Sequence, residues 1–151
     1  MVESPKIVRT QTIPVWLTRQ NYKRAHEATH HAALLWNDLV AWTRNEWMLG
    51  NKPWKTSIEQ VADASDYPLH SHTKQAIAHD LADAIQTSRT LRKNKTQQNV
   101  RAPYKTKQYR PLAFTKNFGW KITPEGKLSL SFGKTKSQPN PNPRKITKGK
   151  N

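Results

Sequence analysis

The net charge of this chain is confined to one half of it. Residues 88–151 carry 17 Lys and Arg against a single acid, Glu125, whereas residues 1–87 carry nine of each sign. One half is charge-balanced and the other polycationic. A field so localised points to a polyanionic partner, most often nucleic acid. The plainer alternative is a basic tail that only keeps the protein soluble, but the basic half is not featureless.

The first half has the pattern of a small helical unit. Ala25, Ala28, Ala32, Leu35, Leu39 and Trp42 recur at spacings of three and four, one apolar face whose alanine-lined beginning allows close approach of another helix. Thr18 is the expected N-cap, and Gly50 the stop after Leu49. Trp36, Val40 and Trp47 widen the stripe, which predicts a helix covered on more than one side. Thr56-Ser57-Ile58-Glu59 has the form of a capping box and predicts a short helix over 57–64. Ser71 is expected to cap a third helix over 72–93, with Ala76, Ile77, Leu81, Ala84, Ile85 and Leu91 inward.

Strands flank this unit. Residues 7–17 alternate in β-favouring types, with Pro14 predicting an edge position or a bulge. Leu112–Thr115 reads as a short strand, and 118–132 as a hairpin turning at Pro124-Glu125-Gly126. The strand over 7–17 has no early partner, so it is expected to pair with strands after residue 110. Residues 137–151, rich in Pro, Asn and Lys with Ile146 the one large aliphatic, are expected to be disordered. The predicted fold class is α+β: a helical insertion in a small, mostly antiparallel, wedge-like β-structure. The expected division is 1–18 with 100–136 for the β-structure, 19–99 for the helices and 137–151 for the tail.

Candidate binding residues lie in the basic half. Arg89, Arg92, Lys93 and Lys95 close the third helix, where the dipole alone also favours cations. Arg101, Lys105, Lys107 and Arg110 follow, interleaved with Tyr104 and Tyr109, and Lys116 and Lys121 sit among Phe114, Phe118 and Trp120. Cations set among aromatics grip phosphates and stack on bases. Phe114, Trp120 and Phe132 have a competing use as hairpin core, which leaves 101–110 the stronger candidate.

Catalytic chemistry is poorly supplied. His26-Glu27-Ala28-Thr29-His30 spells the helical zinc-protease motif. However, the histidine-bearing continuation is missing, and Glu46 lies 16 residues on, about 24 Å along the same helix. Solvated histidines on a helix face are the better reading, with a zinc metalloprotease a remote alternative. The scattered acids do not form the converging set that two-metal phosphodiester cleavage needs, and the isolated glycines form no phosphate-binding loop. With no Cys in the chain there is no disulfide framework or thiolate nucleophile. No apolar run approaches a membrane span, and the N-terminus lacks the apolar stretch of a signal peptide. The chain is expected to be cytoplasmic, with no cofactor, membrane or small-molecule substrate.

Several stretches, taken in order, resemble the N-terminal part of TnpB (OrfB). TnpB is the RNA-guided nuclease of certain insertion sequences, often described as a transposase and related to the compact type V CRISPR effectors. They are Pro14-Val15-Trp16-Leu17-Thr18, Leu35-Trp36-Asn37, Leu69-His70-Ser71-His72, Ala84, Leu91-Arg92-Lys93, Pro103-Tyr104-Lys105, Tyr109-Arg110, Phe114, Phe118-Gly119 and Gly126-Lys127-Leu128-Ser129-Leu130. Together they span roughly residues 7–134. The resemblance implies an opening strand, a helical recognition domain and a return to a wedge-like β-structure, with guide-like RNA and target DNA as ligands. Neither the acidic triad of the RuvC-like nuclease domain nor its zinc-ribbon cysteines can be placed on this sequence. The expectation is therefore a shortened member that binds nucleic acid and is not an enzyme by itself. An independent small basic RNA- or DNA-binding protein is the alternative.

Overall fold

A computed structural model describes residues 10–94 and 99–133. Three helices, α1 (Arg19–Met48), α2 (Lys55–Ala64) and α3 (Ser71–Lys93), precede a hairpin of two short strands, β1 (Trp120–Ile122) and β2 (Leu128–Leu130). The mixed α+β class is as the sequence predicts. The strands are antiparallel, with Trp120 opposite Leu130 and Ile122 opposite Leu128. Gly126 makes the turn in the left-handed region at φ +76°.

The helix ends show which local signals prevail. Thr18 caps α1 by accepting from the Asn21 amide at 3.3 Å, and Gly50 follows its end at φ +81°, both as expected. The capping box proposed for α2 does not form: the helix starts earlier, at Lys55, and Trp54 occupies the cap without a side-chain bond. The reason is tertiary, because Glu59 turns to the His79 ring on α3 at 3.0 Å. At α3 the cap is His70, one residue before the expected Ser71; its Nδ1 accepts from the His72 amide.

Both α1 and α2 pack against α3, and against each other. Leu35, Leu39, Ile58 and Leu81 are fully buried at the centre, each worth about 1.5–3 kcal/mol relative to exposure. Ala28, Ala32 and Ala78 are buried in the same core, where their small side chains permit close approach. Ile77, Leu81 and Ile85 of the expected inward face of α3 are buried, together with Thr73, Lys74, Ala78 and Ser88, while Ala76, Ala84 and Leu91 are only half-buried. The buried polar side chains of α3 are bonded, as the cost of desolvating them requires. Lys74 Nζ donates to the carbonyl of Ser65, the C-cap of α2, at 2.7 Å, and the Ser88 hydroxyl donates to the Ile85 carbonyl.

Two strand expectations are corrected. Residues 10–17, the described part of the segment expected to be a strand, form none, and Trp16 there is 95 % exposed. Alternation expresses a readiness to pair, not a partner; β1 and β2 pair with each other in a two-stranded sheet. Leu112–Thr115 is likewise irregular; the Ala113 carbonyl accepts from the Thr73 hydroxyl on α3 at 3.1 Å instead of joining a ladder. The segment expected to be a disordered tail, 137–151, lies outside the described residues.

The hairpin is seated at the N-terminal end of α3. Phe132 and Leu112 pack on the helical core, Phe114 meets Phe132 edge to face at 5.7 Å, and Phe118 lies against His72 at 5.2 Å. Among the described residues, no helix is long and apolar enough to cross a membrane.

Candidate nucleic-acid interface

Residues 101–110 form a strap that runs back along α1, opposite in direction to it. Its beginning lies beside the end of α1, where Arg101, Pro103 and Tyr104 line a hollow with Arg44, Trp47 and Met48. Further along, Asn37 Nδ2 donates to the Lys107 carbonyl and Asn37 Oδ1 accepts from the Lys107 amide, each at 2.8 Å. Next, His30 Nδ1 bonds to the Gln108 carbonyl at 2.9 Å; a carbonyl only accepts, so the proton is on Nδ1. Last, the Arg110 amide donates to the Thr29 carbonyl at 3.1 Å.

The strap explains the wide apolar stripe of α1. Trp36 is buried on the strap side, with the Arg110 guanidinium 4.1 Å and the Lys107 ammonium 4.5 Å from the centre of its ring. Arg110 also pairs with Asp80 on α3. Two donors of this stack, Trp36 Nε1 and Arg110 Nε, are buried without an acceptor among the described residues. Arg110 thus belongs to the packing: its side chain is 10 % exposed. The sequence candidate at this position is a strap anchor, bound to α1 and α3 rather than presented to a ligand.

One group of cations gathers at the other end of the strap. A cleft of about 610 Å³ is lined by Lys52, Arg89, Arg92, Arg101 and Trp47. The adjoining hollow of about 460 Å³ shares Trp47 and Arg101 and adds Arg44 and Tyr104. None of these five cations forms an ion pair among the described residues. Asn51 at the rim bonds the Glu46 carboxylate at 2.8 Å. Like charges held this close raise a positive potential in a partly walled groove, which attracts phosphate. Trp47, which also packs on the helical core, and Tyr104 add aromatic surface to the lining.

The predicted residues therefore divide. Arg89, Arg92, Arg101 and Tyr104 converge on the cleft. Lys105 and Lys107 are exposed along the strap, and Lys93 is exposed in the last turn of α3. Tyr109 packs on His26 and His30 at 4.8 and 5.8 Å. Lys116 and Lys121 belong to the hairpin segment at the opposite end of α3; from His72 to Arg92 the helix advances about 30 Å. Lys95 lies outside the described residues. Sequence reasoning missed Arg44 and Lys52, which stand in the charge-balanced half; Trp47, read as part of the apolar stripe, does pack on the helical core and also lines the cleft. The available signal was the i, i+3 spacing of Arg44 and Trp47 near the end of α1, beside an α3 that ends with Arg89, Arg92 and Lys93.

The zinc-protease motif takes another part. His30 is bonded to the strap and Tyr109 packs against both histidines. Among the described residues, no group of three or more His, Asp or Glu is placed to hold a metal ion. A run of rings extends from His30 through His31 to Tyr67, whose hydroxyl donates to Asp38. Burial, then that hydrogen bond and the Asp38 charge, push the Tyr67 hydroxyl up to about 12.

Comparison with protein-family models, with curated proteins and with solved structures finds no match for this chain.

Proposed function

We propose that this protein binds nucleic acid in the cleft between the ends of α1 and α3, as a TnpB-like protein that holds guide-like RNA and DNA without cutting them by itself. The observation that carries the reading is the convergence of Arg44, Lys52, Arg89, Arg92 and Arg101 around Trp47 and Tyr104, with no ion pair to any of the five among the described residues. A fold that holds five cations together without counter-ions gains little from them internally; their use is toward an external polyanion.

The TnpB-like element of the proposal rests on the order of the matched stretches in the sequence alone; some of the same residues also hold this fold together. Asn37 of Leu35-Trp36-Asn37 and Arg110 of Tyr109-Arg110 together fasten the strap. Gly119 of Phe118-Gly119 has no room for a side chain, since a Cβ would lie 3.0 Å from the Thr115 amide nitrogen. A cytoplasmic setting, where RNA is made and held, belongs to the same proposal.

Anisotropy titrations of labelled RNA over a range of salt test the binding. The logarithm of affinity is expected to fall linearly with the logarithm of salt, and the combined variant R44A/R89A/R101A to flatten the slope by about two units, at roughly 0.7 per lost phosphate contact on a single strand. An unchanged slope overturns the site. Sequencing RNA crosslinked to the protein in cells tests the TnpB-like role: one dominant structured RNA is expected, and an even spread of cellular transcripts overturns it.

A further inference from the structure

We infer that the strap is a track for a single nucleic-acid strand, which the basic cleft grips by its phosphates at one end and a face of exposed rings holds by its bases at the other. The inference rests on the proposed nucleic-acid binding and specifies the form of its ligand.

The ring face lies at the beginning of α1. Tyr22 and His26 are stacked with their planes 26° apart, and His26 meets Tyr109 of the strap at 4.8 Å. Tyr22 is 61 % and Tyr109 47 % exposed, so the core does not consume these rings. A hollow of about 590 Å³ beside them is lined by Arg19, Tyr22, Lys23 and His26. A smaller one of about 160 Å³ continues past His26 to His30 and Tyr109 and holds Glu27, the one carboxylate lining either hollow. Flat rings in the open with cations beside them take unpaired bases: stacking needs no particular base, and the cations meet the flanking phosphates.

The strap joins this face to the cleft. Tyr104, Lys105, Thr106, Lys107, Gln108 and Tyr109 are all exposed, while their backbone is fastened to α1 at Asn37, His30 and Thr29. The track therefore presents Lys105, and Lys107 whose ammonium also lies over Trp36, between two aromatic stations, while its backbone is fastened to α1. Thr29 and Trp47 are 18 residues apart, about 27 Å along α1. At about 3.4 Å per phosphate of a stacked strand, that length corresponds to roughly eight nucleotides. A duplex buries its base faces and cannot use the rings.

Oligouridylates of 4, 8 and 12 nucleotides, and a blunt RNA duplex of 12 base pairs, distinguish the possibilities. Affinity is expected to rise steeply from 4 to 8 nucleotides, to level off by 12, and to be weaker for the duplex. Tyr109→Ala and, separately, Tyr22→Ala are expected to weaken the 8-mer roughly tenfold with the salt slope unchanged, because stacking releases no counter-ion. Tyr22 has one ring contact, to His26, so its removal keeps the fold, which circular dichroism checks. Wild-type affinity in both tyrosine variants, or duplex binding as tight as the 8-mer, overturns the track while Arg101→Ala still reporting on the cleft leaves the proposed function standing. Absence of binding to every probe overturns both.

Discussion

Asn37 holds Lys107 as a neighbouring strand would. Its side-chain amide donates to the carbonyl and accepts from the N–H of the same residue, both at 2.8 Å, across 70 positions of sequence. A loop residue whose donor and acceptor are both taken by one side chain is fixed in position and in orientation. Replacing Asn37 by Ala removes both bonds and is expected to cost about 1–3 kcal/mol, at roughly 0.5–1.5 per bond. Asn37→Asp keeps the acceptor but loses the donor, and is expected to fall between. Thermal unfolding measures the loss, and hydrogen exchange at the Lys107 amide should accelerate in Asn37→Ala. Unchanged exchange would show that the strap does not depend on this contact.

Arg110 is expected to behave as a structural residue. Its guanidinium lies over the Trp36 ring and pairs with Asp80, a combination of ring contact and charge that Lys reproduces poorly. Arg110→Lys should lower stability by about 1–2 kcal/mol, a range set by stacking and by a partly solvated ion pair. The salt slope of RNA binding should stay as in the unaltered protein. In Arg110→Ala, which removes the charge, a slope reduced by roughly 0.7 would place Arg110 on the phosphates after all.

Gly133 marks where the chain leaves the hairpin beside the loop before α3. Its φ is +97°, and a Cβ there would lie 2.5 Å from the Leu69 carbonyl carbon and 2.7 Å from the His70 nitrogen. These are backbone atoms and cannot swing aside. Gly133→Ala is therefore expected to destabilise by about 2 kcal/mol or more, from strain and overpacking together. Gly126→Ala is the control: it has a similar φ, +76°, with nothing within 4 Å, and should cost less. Equal midpoints for the two variants would show that the close approach at Leu69 is not maintained in solution.

Tyr67 predicts a loss of stability in alkali. Its hydroxyl is pushed up to about 12 by burial and by its bond to Asp38, from an ordinary value near 10. The folded chain therefore holds this proton more tightly than the unfolded one. The contribution is fully present below pH 10 and is lost as pH rises toward 12. Tyr67→Phe should flatten that part of the stability profile, as followed by chemical denaturation between pH 8 and 11.5. A profile of unchanged steepness would assign the alkaline loss to other groups.

The sequence by itself determined the parts whose signals are local. The cap at Thr18, the stop at Gly50, the three helices to within two residues and the turn at Gly126 each depend on a neighbour a few residues away, and short-range hydrogen bonds and apolar periodicity are written in the residue order. The direction of the charge was legible too, because cations have to be solvated or paired wherever they fall. What only the tertiary structure decided was which of them are spent on the fold. Arg110 and Tyr109 are neighbours in the same basic run; yet one is buried under an ion pair and a ring, and the other keeps an exposed face. The difference comes from Trp36 and Asp80, more than 25 residues distant and on two different helices. The cleft has the same origin: Arg44, Arg89 and Arg101 meet because α1 and α3 end side by side and the strap starts there. The unpaired segment 10–17 is the converse case. Its alternation satisfies every local condition for a strand, but a ladder needs a second edge, and edges are supplied by packing rather than by the segment's own residues.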